Sequence, residues 1–311
     1  MTTFVLKRLL WTIPVMLIVI LFTFFLMRQI KGNPFRKSER ALPASIEQNM
    51  KRKFGLDQPW YVQYERYAKG VFTFDLGPSL VLRNQSVNDI VREHFPVSLA
   101  LGLYAFVFAV LVGIPLGVVS ALRANTVWDY TAQILGNVGF AVPSFLVATL
   151  LIYFFGFQWR DWTGLPVSGW DTWQSKVLPS IALGFLPMAY FARLVRGTML
   201  ETLQQDYVRT AKAKGLRWHR VVFLHVLRNS LIPVVTAAAP LLGAIITGSF
   251  IIENIFAIPG IGRYYVTAVT GRDYSVVMGL TILYAGIVVA GNLLVDLLYG
   301  ILDPRTREAR A

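Results

Sequence analysis

Side chains able to do chemistry are sparse in this sequence and gather in one stretch, residues 193–229, RLVRGTMLETLQQDYVRTAKAKGLRWHRVVFLHVLRN. It carries eight Lys/Arg and two acids, Glu201 and Asp206, and apolar segments bound it on both sides. No catalytic constellation accompanies it. The phosphate cradle Gly-x-x-x-x-Gly-Lys-Ser/Thr is absent, and the chain contains no Gly-Lys dipeptide. No His-Glu-x-x-His occurs, and with no cysteine there are neither disulfides nor thiolate metal sites. His219 and His225 are six apart, on different faces of a helix, and with His94 they fall at or beyond the ends of the apolar segments. That leaves no membrane-embedded Ser/His pair for an intramembrane protease. No cofactor, metal or activity of its own is expected.

Composition says where such a stretch must sit. The chain has 311 residues, 55% of them hydrophobic and 15% charged, with mean hydropathy +0.53. Soluble domains average about 25% charged residues. The expectation is an all-α, polytopic membrane protein. A net charge of +13 would suit nucleic acid, but the bases fall between apolar segments and form no continuous patch, so no nucleic-acid partner is expected. They read instead as orientation signals for a lipid bilayer.

A spanning helix needs about 20 mainly apolar residues. Six stretches qualify: 9–27, 95–122, 131–157 with Pro143 inside, 177–192 with Pro179 and Pro187, 230–252, and one within 274–302. The first is longer than the apolar core of a signal peptide, roughly 7–15 residues. With the amino terminus inside, the short inner segments collect Lys7, Arg8, Arg123, the bases of the central stretch, Arg305, Arg307 and Arg310. Six spans with both termini cytoplasmic is the consistent topology. The domain reading is a tail and first helix (1–28), an extracytoplasmic helical insert (29–94), and a five-helix core (95–311) with its cytoplasmic loop at 193–229. In the insert, 45–54 and 60–67 read as helices, and Ser86-x-x-Asp89 caps a helix running on into the membrane. Trp159, Trp162, Trp170 and Trp173 suit an interfacial belt. The connection 253–263 is rich in turn residues.

Within the central stretch, Thr198 and Glu201 form a capping-box pattern. A helix would start there and run through Leu200, Leu203, Tyr207 and Ala211, with Gly215 as its left-handed stop. Residues 218–227 read as a second helix. Basic segments of this kind also favour anionic headgroups, so an amphipathic surface helix is the plain alternative. Asp296, in the last span, is a candidate intramembrane polar site. It suits ion coupling in a secondary carrier, or a helix–helix hydrogen bond. A transport protein without its own energy source, exposing a basic two-helix loop, implies an external one docking there.

At this loop the sequence resembles the integral-membrane permeases of ATP-binding-cassette importers. Residues 207–216, YVRTAKAKGL, look like the dipeptide/oligopeptide/nickel version of the family's loop motif, Glu-Ala-Ala-x-x-x-Gly. Counted from Gly215, the first three positions are Arg209, Thr210 and Ala211, so the last alanine and the glycine match. KGNPF (31–35), FGLDQP (54–59), DLGPS (75–79), SVNDI (86–90), IIENIFAIPGIG (251–262), RDYS (272–275) and LDPR (302–305) resemble the first of the two permease subunits of oligopeptide importers. The resemblance implies a type I importer permease of the bacterial inner membrane. It also implies a second homologous permease, two ATPase subunits gripping the cytoplasmic loops, and an extracytoplasmic binding protein delivering peptide. A nickel or other solute importer of the same family is the alternative. The implied coupling helix is about 198–213. The loop residues it assigns to the ATPase contact are Thr198, Glu201, Asp206, Tyr207, Arg209, Ala211, Lys212, Gly215 and Leu216.

Overall fold

The computed structural model describes residues 2–29, 44–82 and 84–302, apart from the side chains of 2–7, 9, 44, 46, 47, 239 and 294–302. The 31–35 motif, and all of the 302–305 motif but the backbone of Leu302, lie outside the described residues. In chain order the helices are α1 (Thr2–Gln29), α2 (Ala44–Phe54), α3 (Trp60–Phe72), α4 (Val87–Leu122), α5 (Val127–Ala141), α6 (Ser144–Leu151), α7 (Arg160–Thr163), α8 (Gln174–Leu203), α9 (Asp206–Ala213), α10 (Trp218–Arg220), α11 (Arg228–Thr247), α12 (Phe250–Ile255), α13 (Ile261–Gly271) and α14 (Tyr274–Leu302). π-helical turns over Ile152–Gln158 and Val221–Leu227 continue α6 and α10. There is no β-sheet among the described residues.

Five helical stretches are long and apolar enough to cross a membrane: Leu10–Gln29, Val87–Leu122, Gln174–Leu203, Trp218–Ile255 and Tyr274–Leu293. The expected third span is instead a pair, Val127–Ala141 and Ser144–Gln158, bent by 111°, and it makes six if counted as one. The break has a local cause. Val142 precedes a proline and is extended (φ −94°, ψ 119°), and Pro143 cannot donate to the α5 ladder, so a new helix starts at Ser144. Pro179 and Pro187, by contrast, sit inside an unbroken α8. The expected fourth span of 177–192 is therefore too short.

The chain divides into two compact units. The first holds the described residues within 2–98, and 259–293. Its start of α4 is capped as expected: the Asp89 amide donates to Ser86 Oγ (3.1 Å) and the Ser86 amide to Asp89 Oδ2 (3.0 Å). The helix then runs 36 residues, about 54 Å, against a hydrocarbon core of about 30 Å, so part of it stands outside the bilayer. Beside it, Val87, Ile90, Ile261, Val276, Val277 and Leu280 form a buried core. Phe24 of α1 stacks on Tyr67 of α3 at 6.2 Å, and the Tyr67 hydroxyl donates to the Met278 carbonyl. Burial pushes the Tyr67 phenol pKa up, and Tyr64 adds to it. Two motifs far apart in sequence meet here. Asp273 is buried and accepts hydrogen bonds from the Ser79 hydroxyl and from the Leu80 and Val81 amides (3.1 and 3.2 Å). His94 stacks on Tyr264 and lies 3.0 Å from the Pro259 carbonyl, an ordinary structural role.

The second unit holds, of the described residues, 99–258 and 294–302. Its core joins Ala109 and Ala121 of α4, Phe191, Val195 and Met199 of α8, Val208 and Ala211 of α9, and Val221, Val222 and Val226. Small residues let α4 and α8 approach closely, as membrane helices commonly do. A methyl group at Gly113 or Gly117 would lie 2.5 Å from the Met188 or Ala192 carbonyl oxygen.

Candidate functional site

The central stretch folds differently from its sequence pattern at one end and as expected at the other. Thr198 and Glu201 do not start a helix; both lie within α8, which ends at Leu203. The Thr198 hydroxyl donates to the Leu194 carbonyl within its own helix and to the Ser230 carbonyl on α11 (3.0 and 3.1 Å). The Ser230 hydroxyl reaches the Thr202 hydroxyl at 3.1 Å. The hydroxyl that reads as a cap, with those of Thr202 and Ser230, thus ties α8 to α11. The physical reason is that a threonine inside an apolar helix can bond its own i−4 carbonyl, so it need not end the helix. Glu201 is exposed on the last turn of α8.

The true break is at Gln204–Gln205, where Gln205 is extended (φ −69°, ψ 148°). Asp206 then opens α9, where a carboxylate complements the helix N-terminus. So the expected helix over 198–213 is in fact the end of α8 plus a separate eight-residue α9. Its other end follows the sequence. Gly215 is left-handed (φ 74°), its amide donates to the Lys212 carbonyl (3.0 Å), and the Leu216 amide donates to the Ala211 carbonyl (3.3 Å). These are the two bonds of a Schellman stop.

α9 is amphipathic, with Val208 and Ala211 buried in the core beneath it. Asp206, Tyr207, Arg209, Lys212, Gly215 and Leu216 are exposed. Asp206 and Arg209 pair loosely at 3.8 Å, the Asn229 amide donates to the Tyr207 hydroxyl at 3.0 Å, and the Lys212 ammonium lies 4.6 Å from the Trp218 ring. Of the nine loop residues singled out in the sequence, the structure brings these six together on one exposed surface. Ala211 supports them from beneath, and Thr198 and Glu201 lie on α8. The second helix, expected over 218–227, begins at Trp218 and continues through its π-helical turns into α11. The Asp296 side chain lies outside the described residues. Groups of His, Asp or Glu able to hold a metal do not occur among the described residues.

One feature went unread in the sequence. Asp129, in the first turn of α5, is fully buried and accepts a two-pronged ion pair from Arg196 of α8: Nε to Oδ1 at 2.7 Å and Nη2 to Oδ2 at 2.8 Å. The Ser120 hydroxyl (2.5 Å), the Asn125 amide (2.9 Å) and the Gln133 amide group (3.0 Å) also donate to it. Arg196 is one of the eight bases and Asp129 looks like a loop-end acid; 67 residues separate them. In the sequence Asp129 stands two residues before the expected span at 131–157, where an acid needs no partner; only its place on α5 demands one. Next to the pair is a cavity of about 210 Å3 lined by Gln133, Asn137, Arg193 and Gly197, among others.

The comparisons with known proteins agree with this architecture. The family model "Binding-protein-dependent transport system inner membrane component" matches residues 113–308, and that family's N-terminal component model matches residues 1–102. The dipeptide transport system permease protein DppB of Bacillus subtilis (strain 168) is 44% identical over 307 residues, covering 99% of this chain and 98% of the relative. The oligopeptide transport system permease protein OppB of Haemophilus influenzae is 42% identical over 309 residues, covering 99% of this chain and all of the relative (100%). Among solved structures, the MetNI methionine ABC transporter in an inward-facing conformation aligns with TM-score 0.53 at 20% identity, over 67% of this chain and 95% of that one. An amino acid ABC transporter aligns with TM-score 0.52 at 16% identity, over 70% and 94%. At those identities the structures speak for the fold alone. The helices, the spans and the near full-length identity lead to one conclusion: the chain belongs to the family of binding-protein-dependent transport system inner membrane components, multi-pass proteins of the bacterial inner membrane.

Proposed function

We propose that this chain is one of two permease subunits of an ATP-binding-cassette importer for peptides. The observation that carries the substrate class is identity above 40% along the whole chain to permeases named for dipeptide and oligopeptide transport. A second homologous permease completes the path. A binding protein delivers peptide from outside, near the insert at 29–94, and two ATPase subunits act from the cytoplasm, where both termini lie. Chemistry is left to the ATPases; this chain supplies the path and the handle.

The handle is α9 with its flanks. Asp206, Tyr207, Arg209, Lys212, Gly215 and Leu216 face the ATPase, while Val208 and Ala211 root the helix in the membrane-embedded core. A helix that is polar outside and anchored inside can transmit a push, so closure of the ATPases would rock the spans between outward and inward access. Thr198 and Glu201 belong to the α8 shaft behind it. Asp296 is read as a helix–helix hydrogen-bonding residue.

The test is a mild-detergent pull-down of the tagged chain from its native membrane. Co-recovery of a second permease and P-loop ATPases is expected, with the ATPases lost on replacement of Asp206 or Gly215. Recovery of the chain alone, together with peptide uptake that persists without ATP, would refute the reading.

A further inference from the structure

The Asp129–Arg196 pair joins parts of the second unit that the chain leaves separate. Ser120 reaches it from the last turn of α4, Asn125 from the connecting loop, Asp129 and Gln133 from the start of α5, and Arg196 from α8. Seven residues beyond Arg196, about 10 Å along the axis, α8 ends, and α9 starts after two intervening residues. Val208 and Ala211 pack α9 into the same core as Val195 and Met199 of α8. From α9 through the π-helical turns at Val221–Leu227 and α8 to the start of α5, the packing is continuous. At its far end α5 meets the 111° break before α6.

We propose that Asp129 and Arg196 are positioning residues of the transport cycle. They compel the start of α5 to move with α8 and α9, so that a displacement of α9 is delivered to α5 and its bend at Pro143. This rests on the reading of α9 as the ATPase handle. A guanidinium fork on a carboxylate fixes angle as well as distance, which a single hydrogen bond or an apolar contact does not. The carboxylate is buried with five donors, so the joint is either made or broken, because a partial break leaves buried charge without a partner. A lysine at 196 keeps the charge and loses the fork. A merely structural pair would affect hydrolysis and uptake together; a transmitting joint separates them.

The experiment uses the complete transporter with its binding protein in proteoliposomes. The chain has no native cysteine, so Val127→Cys and Gln204→Cys place two spin labels, at the exposed start of α5 and just past α8. In the otherwise wild-type chain, the distance between labels should be the same without nucleotide and with ATP trapped. In the Arg196→Lys variant it should depend on the nucleotide. That variant should keep ATP hydrolysis while uptake per ATP falls about 10-fold, an ordinary size for a lost coupling. A wild-type distance that changes with ATP overturns the proposal, and so does unchanged uptake per ATP in Arg196→Lys. The wild-type distance needs no change at the pair, so it decides the matter even where Arg196→Lys does not assemble. ATPases that stay bound after Asp206 and Gly215 are replaced would overturn the handle reading and this proposal with it. ATPases that are released, together with a changing wild-type distance, would overturn this proposal alone.

Discussion

Replacing Gly215 by valine isolates the backbone requirement at the end of α9. Gly215 sits at φ 74°, and an added Cβ meets nothing within 4 Å, so crowding contributes nothing. The whole effect is conformational: an L-residue in the left-handed region costs about 1–2 kcal/mol, and more for a β-branched one. That cost shifts the balance between the closed and frayed helix end by roughly 5–30-fold. The bonds that open are those of the Gly215 and Leu216 amides to the Lys212 and Ala211 carbonyls. Amide hydrogen exchange in a fragment spanning 208–217 should therefore speed up by roughly that factor, with protection in α8 and α11 unchanged. Peptide uptake should fall in the order Gly, Asn, Ala, Val, because asparagine tolerates the left-handed region best of the three replacements. Unchanged exchange in the valine variant, or an asparagine variant as impaired as the valine one, would refute the reasoning.

Other consequences follow from packing and hydrogen bonding. Gly117→Leu sets side-chain atoms against the Ala192 carbonyl and Val195, within 2.5–2.7 Å of where a Cβ stands; overpacking of about 1–3 kcal/mol should lower the midpoint of thermal unfolding in detergent. Asp273→Ala leaves the Ser79 hydroxyl and the Leu80 amide without this acceptor, and the Val81 amide with Ser79 Oγ alone at 3.2 Å. At about 1–3 kcal/mol per buried orphan, the 75–86 loop should become open to protease cleavage in the folded protein, and an unchanged digestion pattern would count against the clasp. Asp296→Asn keeps hydrogen-bonding capacity and loses only charge, so ATP-driven uptake should survive within about twofold, a change of under 1 kcal/mol. Loss of uptake with normal insertion would instead show that the charge is used.

How far the sequence alone reaches depends on the range of the interaction concerned. The spans were legible because apolar runs have no stable place except a membrane, and that inference needs no tertiary contact. The Ser86–Asp89 cap and the Gly215 stop were legible for a similar reason: each is settled within three to five residues of chain. Thr198 and Glu201 show where local pattern fails. Their spacing fits a cap, but in an apolar setting the threonine bonds its own helix and α11, so α8 runs on to Leu203. Pro143 and Pro187 are the same residue type in two spans, yet one marks a 111° bend and the other lies in an unbroken helix. The difference shows in the backbone before the proline, where Val142 is extended while α8 stays helical through Pro187.

By itself, then, the sequence determined the class of the protein, the rough place of its apolar segments, the exposed basic loop and the motif order that marks the family, all carried by hydropathy or by short-range chemistry. Only the tertiary structure decided what connects to what. Asp129 and Arg196 are 67 residues apart, and Ser79 and Asp273 are 194 apart. Each of these four side chains is unremarkable in its own segment. Burying a charge is favourable only when its partner is held in place, and that placement is set by how the helices pack.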